Sequence, residues 1–266
     1  MLSVKQRAPM VGDRLDESLK QAFRFRVMSV DGKSVTTRLT PFGEELWVAD
    51  GPVCSFYSFP YPTRMAVIRL ADGELFVWSP VRLDAALRAE IDALGRVAHL
   101  VEPNSLHHLF LPDWVEAYPA ARAYAPPGLK KKRRDIRFDA ELGEAPEPGW
   151  AGQIEQIVLK GSVALTELFF FHHKSRTALI CDSIQNFPRG WFKGWRGLLA
   201  RLDGIAEPNI GAPREWRLSF LNRKVARAAV ERLLALAPER IVLAHGEMAV
   251  TNGAGLIRRG FAWLLH

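Results

Sequence analysis

The sequence has few cysteines and little sign of a membrane or secretory segment. Its 266 residues include two cysteines, Cys54 and Cys181, which lie far apart and form no Cys-x-x-Cys pair. This excludes a disulfide framework and indicates two buried thiols in a reducing compartment. No apolar run reaches the length of a transmembrane helix, about 18 residues or more. The N-terminus also lacks the apolar core of a secretory signal, so we expect a cytoplasmic protein that does not associate with membranes.

The motifs of several enzyme classes are missing as well. The sequence contains no GxxxxGK[ST], no GxGxxG after a strand, no HExxH and no GxSxG. These patterns belong to phosphate-binding loops, dinucleotide-binding turns, zinc peptidases and α/β-hydrolases. None of these sites is therefore expected here.

The composition is that of a globular protein, with 48% hydrophobic and 24% charged residues. The excess of 36 basic over 29 acidic residues gives a net charge of +7. Such a charge attracts nucleic acid, an anionic membrane surface or an acidic metabolite, without distinguishing among them. The strongest basic run, Lys130–Arg134, lacks interleaved aromatic residues and any DNA-binding motif. We interpret it as a solvated loop and do not expect a nucleic-acid partner.

The pattern along the chain predicts one layered domain. Residues 1–40 are polar and weakly patterned, and we interpret them as a partly disordered N-terminal extension before a domain at 41–266. A strand–turn–strand pattern occurs at residues 65–79 and again at 167–183, which suggests an internal duplication. Strands alternate with amphipathic helices such as 222–237. This order predicts two β-sheets packed back to back with helices outside.

Polar side chains stand where three apolar strands end. His107 and His108 follow the strand at 97–103, Asp182 follows TALIC, and His245 follows RIVLA. Loops at strand ends combine rigid support with access, so functional groups gather there. Neutral imidazoles with a carboxylate suit Zn²⁺ or another borderline divalent ion. The alternative is that these residues cap strands or form hydrogen bonds in a polar pocket.

This order of residues resembles the metallo-β-lactamase superfamily, over roughly residues 45–250. The segments LWVADGPV, FPYPTRM, PNSLHHLFLPDW, YAPPGL and AHGE are similar to an uncharacterised branch of that superfamily with an atypical metal motif. The resemblance implies an α/β fold, a four-layer αββα sandwich with two similar halves.

The resemblance also implies where metal ligands belong. The superfamily signature is HxHxDH, then a lone histidine, a bridging aspartate and a final histidine. Its first two histidines align with Pro103 and Ser105, and the lone histidine falls near residues 160–162, where this sequence has none. The histidines of the first metal site are therefore missing. Asp182 matches the bridging aspartate and His245 the final histidine.

The second metal site keeps a ligand type at every position, with His107 in place of the aspartate. One outcome is a mononuclear site formed by His107, His108, Asp182 and His245. It would hold zinc, with iron or manganese as alternatives, in a hydrolase-like protein acting on a small molecule, which can be anionic. The other outcome is a metal-free pocket in a non-catalytic binding or structural protein on a decayed scaffold. The sequence does not decide the oligomeric state.

Two histidines and three tryptophans are further candidates for a functional role. His172 and His173 fall at the predicted turn of the second hairpin, and we expect both to be solvated. Trp191, Trp195 and Trp216 lie between two predicted ligands in the chain. They either line a substrate groove or pack this segment onto the domain.

Overall fold

The computed structural model describes residues 26–27 and 37–266. Most of the N-terminal extension predicted for residues 1–40 lies outside the described residues, so its disorder stays a prediction. Leu39 is already attached to the domain. The backbone N–H of Leu39 donates to the Glu90 carboxylate at 2.8 Å.

The first sheet is mixed. Its strands are β1 (Arg26–Val27), β2 (Thr40–Gly43), β3 (Leu46–Phe56), β4 (Phe59–Arg69), β5 (Glu74–Trp78), β6 (Arg96–Val101), β7 (Arg122–Ala125) and β8 (Ala140–Glu141). They lie in the order β1-β3-β4-β5-β6-β7-β8, and β2 also pairs with β3.

The second sheet is smaller and has the order β12-β11-β10-β9. Its strands are β9 (Ile154–Leu159), β10 (Glu167–His172), β11 (Thr177–Ile180) and β12 (Arg240–Leu243). The helices are α1 (Ala85–Leu94), α2 (Leu111–Ala117), α3 (Leu129–Lys132), α4 (Trp195–Asp203), α5 (Arg214–Leu218), α6 (Arg223–Ala235), α7 (Gly253–Gly260) and α8 (Ala262–Leu265). Among the described residues, no helix has both the length and the hydrophobicity to cross a bilayer.

Local chemistry sets the boundaries of these elements. The turn between β4 and β5 places Gly73 at φ +83°, a conformation that favours glycine. Asp84 caps α1, since its carboxylate accepts the N–H of Leu87 at 2.8 Å. Asn222 caps α6 in the same way, through the N–H of Val225. The predicted hairpins and the amphipathic helix at 222–237 are confirmed.

The two halves of the chain repeat one strand arrangement. In the first sheet, β4 pairs antiparallel with both β3 and β5, and β5 then pairs with β6 in parallel. In the second sheet, β9, β10 and β11 pair antiparallel, and β11 then pairs with β12 in parallel. The predicted similarity of the two halves is therefore present in the topology.

The core consists of three apolar layers. Trp78 of the first sheet and Phe170 and Val242 of the second belong to the cluster between the sheets. On the outer side of the first sheet, Leu87 of α1 is fully buried, and on the outer side of the second sheet, Leu233 of α6 is fully buried. Helix, sheet, sheet and helix thus form the predicted four-layer αββα sandwich.

Candidate metal centre

Strand ends from both sheets meet at one edge of the sandwich. The parallel strands β11 and β12 are in register there, with Ile180 opposite Leu243. Asp182 and His245 each follow two residues later, so their side chains start from neighbouring positions. His107 comes from the loop after β6 of the first sheet.

The side chains of His107, Asp182 and His245 converge. The two histidine Nε2 atoms are 3.2 Å apart. An Asp182 carboxylate oxygen lies 3.5 Å from the Nε2 of His107 and the other lies 3.1 Å from that of His245. These side chains are between 6% and 11% exposed. The three ligand atoms therefore share one nearly dry space.

Hydrogen bonds on the far side of each ring orient the two imidazoles. The Nδ1 of His245 lies 2.8 Å from the backbone carbonyl of Pro62. A carbonyl oxygen only accepts, so this Nδ1 carries a hydrogen, and Nε2 is the ring nitrogen that faces the centre and can bind an ion. The Nδ1 of His107 pairs with the Ser79 hydroxyl at 2.9 Å. Such contacts fix the tautomer of metal-binding histidines.

Asp182 is held from two directions. The side-chain amide of Asn104 donates to its Oδ2 at 2.7 Å. Burial acts to raise the pKa of the Asp182 carboxyl, but its favourable interactions with His107 and His245 outweigh burial and hold that pKa below its usual range. The carboxylate is therefore ionised and aimed at the two rings.

This donor set fits a divalent metal ion. Two ligands of a tetrahedral zinc ion, with bonds of about 2.0–2.1 Å, are about 3.3 Å apart. The separations observed here are close to that edge length: 3.2 Å between the two Nε2 atoms, and 3.1 and 3.5 Å from these atoms to different oxygens of Asp182. The Nε2 of His245 also faces a carboxylate oxygen, and a proton or a cation between the two atoms is what makes this contact favourable.

His108 lies outside this group. Among the described residues, two groups have ligand atoms within 4.8 Å of one another, His107 with Asp182 and His245, and Glu167 with Cys181 and Asp182, and His108 is in neither. The His108 side chain is buried, and its Nδ1 has no hydrogen-bond partner among the described residues. Burial, together with the nearby Lys132 and Arg133, lowers the pKa of His108 to about 3, so the ring is neutral. The structure brings together three of the four predicted ligands, and a ligand role for His108 stays a prediction.

A buried carboxylate fixes the backbone that carries Asp182. Glu167, at the start of β10, is fully buried. Its two oxygens accept the backbone N–H groups of Cys181, Asp182 and Ser183 at 2.8–3.0 Å, and the hydroxyl of Ser183 at 2.8 Å. Burial and the charge of Asp182 raise the pKa of Glu167 to about 7, although these hydrogen bonds lower it. Glu167 therefore positions Asp182 without facing the centre itself.

Arg64 fixes the backbone on both sides of His245. Its Nη1 donates to the carbonyls of Leu243 and Gly246 at 2.7 and 2.8 Å, and its Nε donates to Asp50 at 2.7 Å. The guanidinium belongs to the first sheet and the carbonyls to the second. Residues 243–246 are thus tied across the sandwich, on both sides of the histidine.

The three side chains lie in the wall of a cavity of about 530 Å³. Its other walls are largely aromatic and aliphatic, with Lys132 and Glu215 as charged members. The apolar lining comprises Phe56, Tyr57, Tyr61, Pro80, Leu106, Leu109, Phe110, Ala164, Leu165, Pro213 and Trp216. A small molecule in this cavity would reach the centre from the side that the protein leaves open.

Residues 44–193 match a family described as "Domain of unknown function (DUF4336)". This match covers more than half of the chain and includes His107 and Asp182. The chain belongs to the DUF4336 family. No curated protein matches it in sequence.

Solved structures place this DUF4336 protein in the metallo-β-lactamase fold. A metallo-β-lactamase from Pontibacter korlensis aligns with a TM-score of 0.58 and 9% identity, over 86% of this chain and 99% of that chain. A metallo-β-lactamase from Hirschia baltica aligns with a TM-score of 0.56 and 11% identity, over 86% of this chain and 97% of that chain. The metal-soaked Flv1 flavodiiron core from Synechocystis sp. PCC6803 aligns with a TM-score of 0.56 and 11% identity, over 86% of this chain and 60% of that chain. At these identities the likeness concerns the fold.

Sequence reasoning about this DUF4336 protein missed Glu167 and was wrong about His172. The signal for Glu167 was a single charge opening the otherwise apolar strand ELFFFH. His172 is 3% exposed rather than solvated, and its Nδ1 pairs with the Ser175 hydroxyl at 2.8 Å. Of the tryptophans, Trp216 lines the cavity, whereas Trp195 is 56% exposed.

Proposed function

We propose that this protein is a hydrolase that depends on one divalent metal ion, held by His107, Asp182 and His245, and acts on a small molecule. The observation that carries the proposal is the convergence of three side chains, with the two Nε2 atoms 3.2 Å apart and each 3.1–3.5 Å from one oxygen of the Asp182 carboxylate. Zinc suits two imidazole nitrogens and a carboxylate oxygen, with iron and manganese as alternatives. The ion would supply Lewis-acid activation of water and of the scissile group.

The surrounding residues support this role by holding the ligands in place. The Pro62 carbonyl and the Ser79 hydroxyl set the ring orientation of the two histidines. Asn104 orients the Asp182 carboxylate from the side, and Glu167 fixes the backbone below it. A centre pre-organised in this way loses little free energy when the ligands close around an ion.

The cavity favours a substrate with an apolar group beside its hydrolysable bond. Aromatic and aliphatic side chains dominate the lining. Tyr61 packs edge-on against His245 in the cavity wall, with ring centroids 5.1 Å apart, and its hydroxyl donates to Gln185 at 3.3 Å. Burial raises the pKa of Tyr61, so its hydroxyl stays neutral. Lys132, together with the net charge of +7, favours an anionic group on the substrate.

Elemental analysis of the purified protein tests the metal site. We expect roughly one zinc, iron or manganese ion per chain, which is the content of a mononuclear site. His107→Ala, Asp182→Ala and His245→Ala should each abolish it while circular dichroism stays unchanged. His173→Ala is the matched control, because this histidine is on the surface, with its side chain 41% exposed.

Activity is tested next, with the metal-loaded protein and chromogenic esters, thioesters, lactones and phosphodiesters. The expected result is hydrolysis by the wild type and by His173→Ala, lost in His245→Ala. Absence of metal in the wild type, even after divalent ions are added, would contradict the hydrolase proposal. It would favour a non-catalytic binding protein that keeps the cavity.

A further inference from the structure

Helix α4 presents its large apolar side chains to solvent. Trp195, Leu198, Leu199 and Leu202 are 56%, 54%, 42% and 55% exposed. Their spacing of three and four residues places them on one helix face. The fully buried Ala200 lies on the opposite face. A surface helix normally has the reverse arrangement, and an exposed apolar row of this kind marks an interaction surface.

The same segment is positively charged. Residues 183–203 contain four cations, Arg189, Lys193, Arg196 and Arg201, and a single acid, Asp203, at the end of α4. On the helix, Arg196 and Arg201 lie on the two flanks of the apolar row, as the helical spacing requires. Their Nε atoms donate to the carbonyls of Ser58 and Gly197. In the part of the chain that the structure describes, no acidic side chain forms an ion pair with any of the four.

The helix is fixed to the domain rather than loosely attached. Trp191 donates from Nε1 to the carbonyl of Pro60 at 2.9 Å, and Arg196 donates to that of Ser58 at 2.7 Å. Phe59 packs edge-on against Trp195, with ring centroids 5.7 Å apart. These contacts join α4 to the tip of the β3–β4 hairpin, where Tyr57 is 59% exposed and lines the cavity. The apolar row therefore lies next to the cavity.

We propose that α4, with the tip of the β3–β4 hairpin, docks on the surface of an anionic lipid bilayer. A row of Trp and Leu flanked by arginines is the pattern of a helix lying in the plane of a membrane interface. The apolar side chains enter the headgroup–acyl boundary while Arg196 and Arg201 stay among anionic headgroups. The sequence-based expectation of no membrane association considered only spanning and secretory segments.

A second copy of the chain fits this surface less well. A two-fold contact places the same patch on both partners, so it would bring these four cations towards their own copies with Asp203 as the only acid of the segment. An anionic bilayer supplies opposite charge and an apolar layer together. The charge of the segment thus selects the lipid surface.

Co-sedimentation of the full-length protein with lipid vesicles tests the proposal. We expect binding to vesicles of phosphatidylcholine mixed with phosphatidylglycerol, weaker binding to phosphatidylcholine alone, and weakening by salt. The double variant Leu198→Gln/Leu202→Gln should lower the affinity at least about tenfold, because it removes apolar area from the contact. Val250→Gln is the matched control, since Val250 is 61% exposed and lies outside the patch.

Other outcomes overturn the proposal. No binding of the wild type to the mixed vesicles, or equal binding of the double variant, would contradict it. A wild-type dimer that the double variant converts to monomer, without vesicle binding, would assign the surface to a second copy instead. The metal content of the double variant should equal that of the wild type, so failure here is distinguishable from failure of the metal-site proposal.

Discussion

His107 and His245 direct their Nε2 atoms at each other across 3.2 Å, although one follows a strand of the first sheet and the other a strand of the second. Each ring is held from behind by a hydrogen bond at its Nδ1. The proposed ligand set is therefore completed only where the two sheets pack together. Its geometry depends on supports far away in sequence.

Adding a divalent ion should raise the melting temperature of the wild type. An ion that binds only the folded state stabilises it by about 2.7 kcal/mol when its free concentration is a hundred times Kd. For a chain of this size such a change raises the melting temperature by several degrees. Differential scanning fluorimetry with zinc, manganese or iron checks this. The rise should vanish in His245→Ala and persist in His173→Ala, and an equal rise in both variants would refute the site.

Glu167→Gln should destabilise the fold and weaken metal binding together. The substitution replaces an acceptor oxygen with an NH₂ group that faces N–H and O–H donors. We expect a loss of about 3 kcal/mol, the cost of breaking charge-assisted buried hydrogen bonds. Urea denaturation measures the free energy of unfolding. Glu155→Gln, on the neighbouring strand β9, removes surface ion pairs and should change it by less than about 1 kcal/mol.

Gly246→Ala should be far more damaging than Gly128→Ala. Both glycines have positive φ, +89° and +84°. A Cβ at Gly246 would lie 2.1 Å from the carbonyl oxygen of Asn186, whereas one at Gly128 meets nothing within 4 Å. We expect a loss of about 1 kcal/mol for Gly128→Ala and at least about 2 kcal/mol more for Gly246→Ala. Because His245 is adjacent, Gly246→Ala should also lose metal; equal unfolding free energies for the two variants would contradict this account.

Glu102→Gln should be more stable than the wild type, by a margin that grows as the pH rises. Glu102 is fully buried, and its oxygens have no hydrogen-bond partner among the described residues. Burial raises its pKa well above the ordinary value. The folded state keeps this proton while the unfolded state releases it, so the wild type loses stability as pH rises above the unfolded pKa of about 4.3.

The glutamine variant has no proton to lose at this position. Its gain in melting temperature over the wild type should therefore grow from pH 5 to pH 8, which thermal unfolding at several pH values measures. Glu141→Gln, on the exposed edge strand β8, is the control without this trend. A difference that is constant with pH would show that Glu102 ionises normally.

Much of the fold follows from local pattern. The runs MAVIRL and ELFVW around Asp72-Gly73 specify their hairpin, and ELFFFH with TALI specifies the second. Strand ends then locate Asp182 and His245, since polar residues directly after buried strands mark the sheet edge. The local pattern thus predicts the layers and places two of the three proposed ligands at the same sheet edge.

The supporting contacts could not be predicted because they join distant residues. Glu167 bonds to residues 181–183, and Arg64 to carbonyls nearly two hundred positions away. The orientation of helix α4 does not follow from its sequence, because its apolar positions face solvent, contrary to the usual pattern. His108 follows the same strand as His107, yet the sequence gives no means of telling which ring reaches Asp182.

The hydrogen bonds of Arg64 to Leu243 and Gly246 have a consequence for assembly. A chain cut in the exposed loop between Gly143 and Gly149 would separate Arg64 and His107 from Asp182 and His245. Neither fragment would carry all three proposed ligands. Arg64 would also lie on one fragment and the carbonyls that it binds on the other. Retention of an ion by the mixed fragments would therefore report that the two pieces had reassociated in native register.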